Sequence, residues 1–188
     1  MMTTNSAEKD KARLFAILTR DAFFKEKITL SSGKESDYYL DARRVTLSAE
    51  GAYLSAKIIL DMVKDEDLDA IGGPTLGADP IVGAIAVLSY QARNPLNTFI
   101  IRKSPKAHGK QQQVEGPLLR KGAKVVLIDD VATTGQAFLQ SLDVLKSAGV
   151  TASKAVCLVD RGEGAREALA QRGCELLSIY NASDFFKS

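Results

Sequence analysis

The chain has 188 residues, 45% hydrophobic and 26% charged, which suits a folded domain with a real core and argues against a long disordered tail. With 25 Lys and Arg against 23 Asp and Glu, the net charge of +2 is too small to argue for nucleic acid or an anionic membrane as a partner. The opening MMTTNSAEKDKARLF lacks an apolar signal region, and no apolar run approaches the roughly 20 residues that span a bilayer, so the expectation is a cytoplasmic protein.

Over residues 7–24, Leu14, Phe15, Ile17 and Leu18 recur at helical spacing, and KITLSSGKESDYYLDAR then reads as strand, glycine turn, strand. Ser48 ahead of Ala-Glu-Gly predicts an N-cap opening a helix over 49–63, and LDAIGG reads as a short buried strand. Pro80 fits the first turn of a helix over 80–90; NTFIIRK is the next strand, and SPKAHGKQQQVEGPLLRKG is a long polar loop without a period. Strand 124–129, helix 136–148, strand 154–159, helix 165–172 and strand 175–180 complete the chain. Such alternation, with no internal repeat or linker, predicts one α/β domain with a mostly parallel sheet and helices on both faces. Cys157 and Cys174 lie in apolar segments without metal-ligand spacing and read as core residues.

The stretch VVLIDDVATTGQA places Asp129 and Asp130 at a predicted strand end, where open α/β sheets bind ligands. Thr133, Thr134 and Gly135 then offer hydroxyls and backbone N–H groups at a helix start, an arrangement that holds a phosphate without lysine. Carboxylates accept hydrogen bonds, so the acids suit sugar hydroxyls or a hydrated metal ion; a phosphorylated ribose has every feature required. Paired aspartates in such a place also serve as plain turn formers and helix caps. In the long loop, Arg102, Lys103, Lys106, His108 and Lys110 gather positive or protonatable groups within nine residues, and Gly109 and Gly116 permit hinge motion. A polyanion is the natural partner, a solvated basic loop the alternative. His108 is the chain's single histidine and lies on no apolar face.

VVLIDDVATTGQA contains no GK[ST] P-loop, and the chain has no GxGxxG; the stretch resembles the phosphoribosyl-pyrophosphate signature of the type I phosphoribosyltransferases. ITLSSGKESDYYLDAR, GGPTLGADPI, RKSPKAHGKQQQVEG, LVDR and IYNASDFF extend the likeness over nearly the whole chain to the orotate phosphoribosyltransferase family. The resemblance implies the type I phosphoribosyltransferase fold: a mostly parallel five-stranded sheet flanked by helices (about 46–188), with a small N-terminal hood (mainly 1–45). It implies transfer of ribose 5-phosphate from phosphoribosyl pyrophosphate to N1 of orotate in pyrimidine biosynthesis. Mg²⁺ is the implied cofactor, held through substrate and water rather than by direct protein ligands, and a homodimer is implied in which the catalytic loop reaches the neighbouring site. By the same carry-over, Arg102, Lys103, Lys106 and His108 bind pyrophosphate, and Lys106, His108, Asp129 and Asp130 are catalytic. Asp129 and Asp130 hold the ribose, and Val131, Ala132, Thr133, Thr134, Gly135, Gln136 and Ala137 form the rest of the phosphoribosyl pyrophosphate site.

Orotate's carboxylate calls for a guanidinium fork, and Arg161, after Val159 and Asp160 on the same predicted rim, is the candidate, with Thr133 also touching orotate. Without the family match, Arg161 would read as an ion pair with Glu163 or Asp160. Alternation sends one of Tyr38 and Tyr39 toward the base and the other into packing. One branch of the family has lysines where this chain has Ser31 and Gly77, so the backbone N–H groups around 73–77 are expected to hold pyrophosphate instead. A purine-using relative and a non-catalytic regulator stay open beside the orotate enzyme. Lys106 and His108 count against the regulator, and Arg161 with the hairpin counts against the purine enzyme.

Overall fold

The computed structural model describes residues 4–29, 35–104 and 113–187. Helix α1 (Thr4–Asp21) leads into β1 (Phe23–Phe24), β2 (Ile28–Thr29), β3 (Glu35–Ser36) and β4 (Tyr39–Leu40). These strands form two nested antiparallel pairs, β1 with β4 and β2 with β3, in place of one simple hairpin. A short helix, α2 (Arg43–Thr46), precedes α3 (Ala49–Met62), whose N-cap Ser48 accepts from the Gly51 N–H at 3.1 Å as its sequence predicts. Then come β5 (Ala70–Pro74), α4 (Asp79–Gln91) with proline in its first turn, β6 (Asn97–Ile101) and β7 (Val114–Glu115). The chain continues through β8 (Lys124–Ala132), α5 (Gln136–Ser147), β9 (Thr151–Asp160), α6 (Ala165–Ala170) and β10 (Glu175–Asn181), and closes with a 3₁₀ turn over Ala182–Phe186.

The main sheet has the order β10-β9-β8-β5-β6-β7. Five strands run parallel, as expected, and β7 adds a sixth, antiparallel to β6. That sixth strand lies inside the segment read as loop, because two residues are too few to show an alternation. β8 outruns its expected end at Asp129, since Val131 and Ala132 still pair with Val159 and Asp160 of β9.

From Val125 to Ile128 every position of β8 is apolar, as a strand covered on both faces requires. Val126 and Ile128 pack with Leu14, Ile59, Ile81 and Ile85 on the face covered by α1, α3 and α4. Val125 and Leu127 pack with Phe99, Phe138, Leu145 and Leu169 on the opposite face. Cys157 and Cys174 are buried free thiols; burial drives the Cys157 thiol far up and the Cys174 thiol up to about 11. The chain's last residues return to its first: Phe185 lies 4.7 Å from Phe15 and 5.2 Å from Phe23 between ring centroids, and the Tyr180 hydroxyl donates to the Lys11 carbonyl at 2.6 Å. Among the described residues, no helix is long and apolar enough to cross a membrane.

Candidate active site

The chain builds β6 on one side of β5 and then returns to lay β8 on the other, so a crevice opens between the carboxyl ends of β5 and β8. The β5–β8 ladder stops at Gly72 and Leu127, while β9 supports the other edge of β8 as far as Ala132. Asp129 and Asp130 therefore stand on an open strand edge. Opposite them runs the segment leaving β5, which holds a cis peptide between Thr75 and Leu76. The approach is close: a Cβ at Gly77 would collide with Asp129 Oδ1 and lie 2.5 Å from Asp130 Oδ1. In this segment the Thr75 and Ala78 N–H groups are spent on the Ile101 and Pro74 carbonyls. No described partner takes the Leu76 and Gly77 N–H groups.

The crevice widens into a cleft of about 970 Å³. Of the expected site residues, Arg102, Lys103, Asp129, Asp130, Val131, Thr133, Ala137 and Arg161 all line it. Ala132, Thr134, Gly135 and Gln136 line an adjoining concavity of about 200 Å³ that shares Asp129 and Thr133 with the cleft. Gly135, at φ 80°, turns the chain into α5, and no side chain caps that helix. The first-turn N–H groups of α5 are thus left for an acceptor from outside the chain. Lys106 and His108 lie outside the described residues. The ends of their segment are tied at the rim: the Arg102 N–H donates to the Gln113 carbonyl at 2.9 Å, and Gln113 Nε2 donates to the Arg102 carbonyl at 3.1 Å.

Asp129 is only 8% exposed. Its Oδ1 accepts from the Asp130 N–H at 3.0 Å, and Asp130 Oδ1 accepts from the Val131 N–H at 2.8 Å. Among the described residues neither carboxylate forms an ion pair. Burial first, then repulsion from Asp130, pushes the Asp129 carboxyl well above its ordinary value. Burial raises Asp130 too, opposed by the Val131 N–H and by the charge of Arg43. A buried and a half-buried acid, neither in an ion pair, form an acceptor site that a diol or a cation would complete.

Arg161 sits where β9 ends, its N–H donating to the Ala132 carbonyl at 2.9 Å. Its side chain is 7% exposed. Nε donates to Glu163 at 2.7 Å, Nη2 lies 3.3 Å from Ser36 Oγ, and the guanidinium carbon stands 4.5 Å over the Tyr38 ring. The ion pair with Glu163 therefore forms, but on a buried arginine that also lines the cleft. The alternative partner, Asp160, is occupied by Arg166 at 2.9 Å and the Gly162 N–H at 2.9 Å. Of the two tyrosines, Tyr38 packs against Phe23 and beneath Arg161, whereas Tyr39 is exposed.

Among the cleft residues that the sequence reading did not single out are Asp41 and Arg43, with Arg43 Nε 3.1 Å from Asp41 Oδ1. Their signal is an Asp-x-Arg at the end of a strand, which a pattern of alternation treats as surface.

The description "Phosphoribosyl transferase domain" matches residues 46–180. An orotate phosphoribosyltransferase of Rhodopirellula baltica is 39% identical over 190 residues, covering 98% of this chain and 98% of its own. The chain also resembles Mycobacterium tuberculosis H37Rv orotate phosphoribosyltransferase in complex with Fe(III) dicitrate: TM-score 0.82 and 35% identity, over 94% of this chain and 98% of that one. A second structure under that name, in complex with 5-phospho-alpha-D-ribosyl 1-diphosphate, has a TM-score of 0.78 and 29% identity over 94% of this chain and 99% of its own.

Proposed function

The chain belongs to the phosphoribosyl transferase domain family, and from that premise and its full-length orotate phosphoribosyltransferase relatives we infer that it is an orotate phosphoribosyltransferase. It transfers ribose 5-phosphate from phosphoribosyl pyrophosphate to orotate, giving orotidine 5′-phosphate and pyrophosphate. The observation that carries this reading is the pair Asp129–Asp130 beside the uncapped turn into α5, with the buried Arg161 fork on the same rim.

On this reading the 5-phosphate rests on the N–H groups and hydroxyls of residues 131–137, and Asp129 and Asp130 accept from the ribose hydroxyls. The Arg161 fork and Thr133 orient orotate so that its N1 faces ribose C1. N1 forms a bond to C1 as the C1–O bond to pyrophosphate breaks, and the electron pair leaves on pyrophosphate. Positive charge develops on the sugar and negative charge on the leaving oxygens, so Arg102, Lys103, Lys106 and His108 act by stabilising the latter. On the same family reading, Lys106 and His108 cover the reacting centre and keep out water that would hydrolyse the activated sugar.

Two acceptor carboxylates facing a cleft, Asp129 buried and Asp130 half-buried, suit an ion held mainly through substrate and water, and no group of three or more His, Cys, Asp or Glu among the described residues could enclose one alone. Mg²⁺ bound there supplies neutralisation of the pyrophosphate charge. With the family reading come a single phosphoribosyltransferase domain (hood mainly 1–45, core about 46–188), a cytoplasmic location, and a homodimer sharing the catalytic loop. The test is the fall in orotate absorbance with phosphoribosyl pyrophosphate and Mg²⁺, with a chelator control and with hypoxanthine, adenine and uracil offered instead. Orotate-specific, chelator-sensitive turnover is expected. Turnover with another base alone, or binding without turnover, refutes the assignment.

A further inference from the structure

The pyrophosphate side of the cleft poses a charge problem. The segment over 74–77 approaches the paired aspartates so closely that position 77 has no room for a side chain, so no cation can be carried there. Arg102 and Lys103 stand at the end of β6, and Arg102 is shared with Glu115 at 3.5 Å. On the side of Gly77, Arg43 is the described cation that lines the main cleft, while Arg44 lines only the neighbouring concavity. Arg43 is the first residue of α2, and it lines both the main cleft, with Thr75, Gly77 and Asp130, and the neighbouring concavity formed with Leu76 and Asp79. Arg43 is therefore beside the segment that the expected pyrophosphate contacts come from.

Its hydrogen bonding leaves it available. Only Nε is used, toward Asp41 at 3.1 Å, and no described partner takes the two Nη groups. The side chain is 46% exposed, and an exposed single-contact pair of this kind holds a side chain in place with little net stabilisation. Asp41 thus orients the guanidinium and leaves the planar face with paired N–H donors for a ligand. That fork suits the oxygens of a phosphate group, which it can engage in a bidentate way. Arg43 also acts electrostatically on Asp130, holding its carboxyl lower than burial alone would.

Resting on the phosphoribosyltransferase reading, we propose that Arg43 is a substrate-binding residue for the pyrophosphate end of phosphoribosyl pyrophosphate, supplying from α2 the cation that position 77 cannot carry. Pyrophosphate then lies between Arg43 on one wall and Arg102 and Lys103 on the other, with the Leu76 and Gly77 N–H groups beneath it. Arg43 thus supplies its charge from a described element of the cleft wall.

The test compares the full-length protein with Arg43→Ala, Arg43→Lys and, as control, Arg44→Ala. Arg44 lies 4.9 Å over the Phe24 ring and does not line the main cleft. Titration calorimetry reads the affinity for inorganic pyrophosphate with Mg²⁺, initial rates read KM for each substrate, and thermal melts confirm folding. Arg43→Ala is expected to weaken pyrophosphate binding and raise KM for phosphoribosyl pyrophosphate by about tenfold or more, the loss of one charge-assisted contact, with KM for orotate within about twofold. Arg43→Lys recovers part of the loss, and Arg44→Ala changes neither constant. Unchanged pyrophosphate affinity in Arg43→Ala overturns the proposal, even if turnover falls, because Arg43 would then act only through Asp130. If the wild type binds pyrophosphate through Arg43 but does not turn over orotate, the Arg43 site stands and the assigned reaction fails.

Discussion

Truncating Arg161 to alanine separates recognition of orotate from the rest of the chemistry. In the structure this guanidinium is nearly buried, fixed at Nε by Glu163 and from beneath by Tyr38, so its outer N–H groups meet a carboxylate in a partly dehydrated setting. Two charge-assisted hydrogen bonds at about 1.5–2 kcal/mol each make about 3–4 kcal/mol, or roughly 10²–10³ in kcat/KM for orotate. Uracil lacks the carboxylate and never gains that energy. The wild type should therefore favour orotate over uracil by about that factor, and Arg161→Ala should bring the two bases to within roughly tenfold of each other. Arg161→Lys restores charge without the fork and should recover less than about tenfold of the loss. Glu163, left without its partner, can rehydrate, so the accompanying loss of stability should stay near ~1–2 kcal/mol by denaturant titration. The assay is kcat/KM for both bases in wild type and variants, with phosphoribosyl pyrophosphate saturating. If Arg161→Ala keeps the wild-type preference for orotate over uracil, the carboxylate is bound elsewhere and the assignment of Arg161 is wrong.

Asp129→Asn should lower turnover at least about a hundredfold and yet raise stability by about 1 kcal/mol at neutral pH, because it removes a buried charge held against Asp130. The sign follows from linkage: the folded carboxyl titrates above the unfolded one, so the folded state binds the extra proton and wild-type stability falls as pH rises from the ordinary carboxylate value to the raised one. Melting temperatures of wild type and variant should diverge across that window and run parallel outside it; a constant gap would show that Asp129 is not perturbed. His108→Ala should reduce turnover far more than orotate affinity, since the role proposed for His108 is on the leaving pyrophosphate and not on the base, and equal losses in kcat and in the orotate dissociation constant would count against that role. Phe185→Ala empties a fully buried site among Phe15, Phe23 and Tyr180 and should cost about 3–5 kcal/mol in urea unfolding; a loss under about 1 kcal/mol would show the C-terminal turn to be dispensable.

Period and composition already determine much of this protein. The apolar run from Val125 to Ile128, the Ser48 cap, the proline opening α4 and the order of helices and strands are local signals, and the main elements lie where those signals put them. The acid pair and the Thr-Thr-Gly turn were legible for the same reason: neighbours in the chain remain neighbours in the fold, whatever the tertiary structure does. Sequence did not show that β8 runs on to Ala132, because that extension is set by pairing with Val159 and Asp160 some thirty residues away. Nor did it show that Glu163 and Tyr38 jointly hold Arg161, or that Arg43 and Arg102 line one cleft. Gly77 makes the difference plain. In sequence it is a lysine missing from a glycine loop; in the structure it is a backbone so close to two carboxylates that no Cβ fits, a limit imposed by atoms more than fifty residues along the chain.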